Sequence, residues 1–127
     1  MKRILLALAI AGALFAVPVT AQTVNGYGNF NPHLAGGFAI SATTSSSSVT
    51  FSQIGINNTE VYIFNSGTTN AFAVWGVGAQ TATSTGTGSI VLPPGSVQVF
   101  NKQHADTIAV IMGSGTGTIY VMSGQGN

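Results

Sequence analysis

The chain has 127 residues, 45% of them hydrophobic and only 4% charged, with 17 glycines and no cysteine. That length supports one domain with a modest core, and without cysteine no disulfide framework can staple it. Its three basic residues include Lys2 and Arg3 at the very start, so the clustered lysine and arginine needed to displace counterions from phosphates are missing and nucleic acid is excluded as a partner.

Residues 1–21 have the order of an export signal: the basic pair Lys2-Arg3, an apolar run over 4–17 broken only by Gly12, and the compact residues Val19-Thr20-Ala21. Cleavage after Ala21 is expected. The run is shorter than the roughly 20 residues a spanning helix requires, so membrane contact is expected only through this segment during export. Residues 22–127 then keep Glu60, Lys102 and Asp106 as their only charged side chains, with net charge −1. A surface made of Ser, Thr, Asn, Gln and Gly can be buried against other subunits without desolvating ions.

Residues 22–37, QTVNGYGNFNPHLAGG, contain Asn-Gly, Gly-Asn, Asn-Pro and Gly-Gly, which punctuate rather than propagate regular structure. They read as an extended arm or as a disordered junction after the leader. The aromatic pair Tyr27 and Phe30 favours a docking arm and marks both as candidate interface residues, because such rings need an apolar place to go. Residues 38–127 read as the folded domain.

Within it, 38–43 and 49–54 read as strands around the serine run 45–48, with period-two alternation in Val49-Thr50-Phe51-Ser52. Residues 57–59 form a turn into six further runs of strand length: 61–64 (VYIF), 71–77 (AFAVWGV), 89–92 (SIVL), 96–100 (SVQVF), 107–112 (TIAVIM) and 118–122 (TIYVM). The turn at Gly67 and the Pro93-Pro94-Gly95 turn are expected to be structural, with Pro94 presetting φ and Gly95 taking a positive φ in a tight hairpin. Residues 80–88, QTATSTGTG, read as a flexible polar tip. About eight strands and no capped helical period predict an all-β antiparallel sandwich, jelly-roll-like rather than immunoglobulin-like.

The order Asn65-Ser66-Gly67, Phe72 with Trp75, Pro93-Pro94-Gly95, Val97-Gln98-Val99 and the Gly-rich tail from Thr118 to Gly126 resembles the small β-sandwich head-decoration or minor capsid proteins of tailed bacteriophages and prophages. The resemblance covers the C-terminal half. It implies a virion structural protein whose partners are capsid or other virion proteins, as a homo-oligomer or bound to a lattice, and it transfers no catalytic residue.

Residues able to do chemistry are few. His104 and Asp106 lie two apart before a strand, but only His33 and Glu60 remain to complete a metal site, which needs three or four ligands. No G-x-S-x-G elbow accompanies the serines, and residues 113–117 (GSGTG) precede a strand rather than a helix, as a hairpin turn would. Glu60 and Asp106 are the only carboxylate pair available for glycoside hydrolysis. We therefore expect no enzyme, no metal and no cofactor. Trp75 reads first as core and second as an interface anchor. The expected role is a structural protein of a virion shell or its surface acting by multivalent contact; the alternative is an exported bacterial β-sandwich adhesin or carbohydrate-binding module.

Overall fold

The computed structural model describes residues 30–51 and 59–126, so the 1–21 leader and Tyr27 lie outside the described residues. Among the described residues eight strands follow one another: β1 (Asn31–Ala42), β2 (Ser47–Thr50), β3 (Glu60–Asn65), β4 (Ala71–Gly76), β5 (Ile90–Leu92), β6 (Val97–Asn101), β7 (Thr107–Met112) and β8 (Gly117–Gln125). They form two four-stranded sheets, ordered β1-β8-β3-β6 (sheet I) and β2-β7-β4-β5 (sheet II), and every pairing is antiparallel. This is the jelly-roll order, two interlocked Greek keys. Among the described residues no helix is long and apolar enough to cross a membrane.

The period-two pattern explains the core. Along β3 burial alternates strictly, so Val61, Ile63 and Asn65 face inward while Tyr62 and Phe64 face out. Ile40, Ile119 and Val121 of sheet I meet Ala71, Ala73, Leu92, Ile108, Val110 and Met112 of sheet II in one apolar layer. Burial of that layer is what orders a chain this poor in ion pairs and free of disulfides.

Several connections differ from expectation. Of strands consecutive in sequence, only β4 and β5 pair directly. The Pro93-Pro94-Gly95 turn is therefore not a hairpin, since it carries the chain from sheet II to sheet I. Its local chemistry is as expected: Ser96 N–H donates to the Pro93 carbonyl (3.1 Å) and Gly95 has φ 68°, a type II turn. Two adjacent prolines also withhold the N–H groups that a continuing ladder would need. Residues 113–117 likewise cross between sheets, from β7 to β8, instead of closing a hairpin. β1 begins at Asn31, so residues 31–37 belong to the sheet and not to a preceding arm; the register against β8 shifts between Pro32 and Gly37, which absorbs the proline and the glycines. Two serines of the run enter β2.

The loop 80–88 is not a free tip. Ala82 is buried with Ala109 and Ile111 under Phe72 and Val74, and its N–H donates to Ser46 Oγ (2.9 Å) beside β2. The loop thus crosses the outer face of sheet II over β7, which explains why β7 is buried on both faces, while Val91 of β5 stays exposed on that side.

Candidate functional surfaces

Sheet I has no such cover among the described residues. Register places Ala39 of β1, Tyr120 and Met122 of β8, Tyr62 and Phe64 of β3, and Val97 and Val99 of β6 on its outer face. Tyr120 remains 48% exposed and Val97 40%. Phe64 stacks on Tyr120 with centroids 6.0 Å apart. Phe30, a predicted interface residue, lies on this same face: its ring stacks on Tyr62 at 5.8 Å. Gly124 makes room for it, since a side chain there would run into the Phe30 ring and the Asn31 carbonyl. A groove of about 340 Å³ remains open between Gly37, Ala39, Tyr62, Tyr120 and Met122.

A second apolar surface is the edge formed by β5 and β6, each the last strand of its sheet. Gln98 Nε2 donates to the Val91 carbonyl (3.4 Å), tying the two edges together. Ile90, Val91 and Val97 are exposed there, and neither strand carries a charge. Sheet edges that must stay unpaired are usually protected by lysine, proline or a bulge.

Trp75 faces inward from β4, half-buried, and packs on Phe100 of β6. Its remaining exposed side borders an end pocket of about 300 Å³ shared with Asn101, Gln103 and His104. Trp75 is thus packed on the core with one side left accessible.

The 101–106 segment is less solvated than its composition suggests. Lys102 is only 7% exposed, its Nζ donating to the Ala105 carbonyl (3.3 Å) and sitting 5.5 Å from the centroid of the Phe51 ring. Burial pushes the ammonium below its ordinary pKa. Asp106 anchors the neighbouring turn: its Oδ1 accepts the Gly78 N–H (2.8 Å) and the Thr107 hydroxyl (2.9 Å), which hold the carboxyl below its ordinary pKa. His104 is exposed in the loop and His33 is exposed on β1. Among the described residues no three metal-ligating side chains converge.

Gly67 sits in a turn governed by a residue whose burial the sequence did not reveal. Asn65 is fully buried; its Oδ1 accepts the Gly67 N–H (2.9 Å) and its Nδ2 donates to the carbonyls of Thr69 (2.9 Å) and Leu92 (2.8 Å). Its backbone exchanges two further bonds with Ser96 and Gly95. One side chain thus links β3, the turn after it and the end of β5. The Asn-x-Gly spacing was the available signal, because asparagine readily bonds the backbone two residues on.

No family model and no curated protein matches this chain. Among solved structures it is similar to a protein of the Bacillus endospore appendages, described as a family of disulfide-linked pili, at 15% identity over 70% of this chain and 83% of that one, with a TM-score of 0.45. A likeness at that level says nothing about function.

Proposed function

We propose that the protein is a non-enzymatic structural subunit, part of a virion shell or its surface, that works through many weak contacts with capsid or other virion proteins and with copies of itself. The observation that carries this reading is the uncharged β5–β6 edge with Ile90, Val91 and Val97 exposed. Such an edge offers backbone hydrogen-bonding groups and apolar side chains together, and in an array each small contact is multiplied by avidity. The resemblance of the C-terminal half to phage decoration proteins supports the virion assignment over other assemblies.

Sedimentation velocity over a concentration series tests it with Val91→Lys and Val97→Glu. Concentration-dependent association that both charges abolish, at an unchanged thermal midpoint, is the expected result. A wild-type chain that stays monomeric and binds no capsid or other shell protein refutes the reading.

The end pocket supports a second reading, an exported adhesin or carbohydrate-binding module, because an aromatic edge beside amide side chains suits a sugar ring. Glycan-array binding lost on Gln103→Ala, without any self-association, selects it.

A further inference from the structure

The backbone of β6 points half of its hydrogen-bonding groups away from its own sheet. At one end the Asn65 N–H donates to the Ser96 carbonyl (3.0 Å), and at the other the Lys102 N–H donates to the Thr59 carbonyl (2.8 Å). Bonded and non-bonded pairs alternate along an antiparallel ladder, so Gln98 and Phe100 exchange bonds with Ile63 and Val61, while Val97, Val99 and Asn101 aim their N–H and C=O groups outward. The other side of β3 agrees: Ser66 N–H donates to the Thr118 carbonyl (3.1 Å), which directs Phe64, Tyr62 and Glu60 toward β8 and leaves the alternate residues for β6. Both ends of β6 turn away from this line. Pro93-Pro94-Gly95 precedes it, and after it Gln103 takes φ 50° with its N–H held by Asn101 Oδ1 (2.8 Å).

We propose that two copies of this chain pair β6 to β6, antiparallel about a twofold axis at Val99, so that their sheets I join into one eight-stranded sheet. The proposal rests on the assembly reading of the β5–β6 edge and adds to it the partner, the direction and the register. The strand is complementary to itself. With Val99 opposite Val99 of the second copy, Val97 falls opposite Asn101, and every outward N–H and C=O of 97, 99 and 101 finds a partner. No like charges meet, since Lys102 is buried and Glu60 lies one strand back beside Asn101. The two Glu60 side chains would stand roughly 20 Å apart, well beyond the screening length of about 8 Å at physiological salt. The other edge strands suit such pairing less. β1 carries Pro32 and a register shift between Pro32 and Gly37, devices that keep an edge unpaired. β2 has four residues, and β5 has three, with the Val91 carbonyl already accepting from Gln98.

Because the chain has no cysteine, single cysteines map the seam with a short thiol-reactive crosslinker. Val99→Cys is expected to link to itself, and Val97→Cys to link to Asn101→Cys when the two proteins are mixed, because facing residues lie about 5.5 Å apart. Val97→Cys alone is expected not to link, its two copies being about 14 Å apart. A second variant removes one outward N–H and leaves the ladder to β3 intact: Val99→Pro, at an edge position that tolerates proline. It is expected to weaken association in sedimentation by about tenfold or more, through two bonds lost at the axis, at an unchanged circular dichroism spectrum. If Val99→Pro fails to fold, the crosslinks decide alone. Association with no link at Val99, or undiminished by Val99→Pro in a folded protein, overturns the pairing while the assembly reading stands on other contacts. A Val99→Cys chain that links to a shell protein and never to itself overturns it in favour of a foreign strand. A wild-type chain that stays monomeric also overturns it, and the assembly reading then depends on binding to a shell protein.

Discussion

Trp75 and Phe100 join the two sheets directly: their ring centroids lie 4.9 Å apart with planes at 43°, one ring from β4 of sheet II and the other from β6 of sheet I. Both pack on the main core. Since β4 and β6 share no ladder, side chains alone hold the sandwich closed here. Trp75→Ala should cost about 2–4 kcal/mol, near the lower part of the range for aromatic truncation because the ring is half-buried. Equilibrium denaturation with the single tryptophan's fluorescence compared before and after unfolding checks this. A loss under about 0.5 kcal/mol with water-like emission in the native state would return Trp75 to a purely recognition role.

Asn65 does for the polar interior what Trp75 does for the apolar one. Its three side-chain bonds go to backbone groups, one of them to the buried carbonyl oxygen of Leu92 and another to the part-buried carbonyl of Thr69. Asn65→Ala should therefore destabilise by about 2–3 kcal/mol, the combined cost of orphaned backbone groups. Asn65→Asp should be worse at neutral pH, because it aims a carboxylate at the Thr69 and Leu92 carbonyls, and should partly recover in acid where the carboxyl regains a donor. Thermal midpoints at pH 4 and 7 separate the two variants.

The strands were legible because alternation and turn residues are local. Val61, Ile63 and the outward Tyr62 and Phe64 follow from period two alone. Partnership was not legible. Pro93-Pro94-Gly95 specifies a tight turn equally well within one sheet or between two, and only the long-range pairing of β6 with β3 decides. The cover over sheet II was hidden for a related reason: a Ser/Thr/Gly loop with one alanine carries no sign of where Ala82 docks. For Phe30 the sequence indicated the need for an apolar surface, while the space that receives it, above Gly124, depends on a residue 94 positions away in the chain. The burial of Lys102 is not legible either, because its five polar or small neighbours suggest solvent, yet its Nζ lies over the Phe51 ring.

That lysine and Asp106 give the fold a pH dependence of the same sign at its two extremes, stability rising with pH in each window. Burial lowers the Lys102 pKa from 10.5, so between the folded value and 10.5 the unfolded chain binds more protons and stability rises with pH. Asp106 acts at the other end. Its carboxyl is lowered from 3.8 by the Gly78 N–H and the Thr107 hydroxyl, so its contribution is complete above 3.8 and is lost as pH falls through the folded value. Denaturant midpoints measured from pH 2 to 11 should show both flanks. Lys102→Met should abolish the alkaline rise and leave the pH 7 midpoint equal or higher, because a buried ammonium without a carboxylate partner is replaced by an apolar chain of similar length. Asp106→Asn should flatten only the acid side. A Lys102→Met protein that loses stability at pH 7 and keeps the alkaline rise would show that the ammonium's bond to Ala105 and its place beside Phe51 outweigh its desolvation.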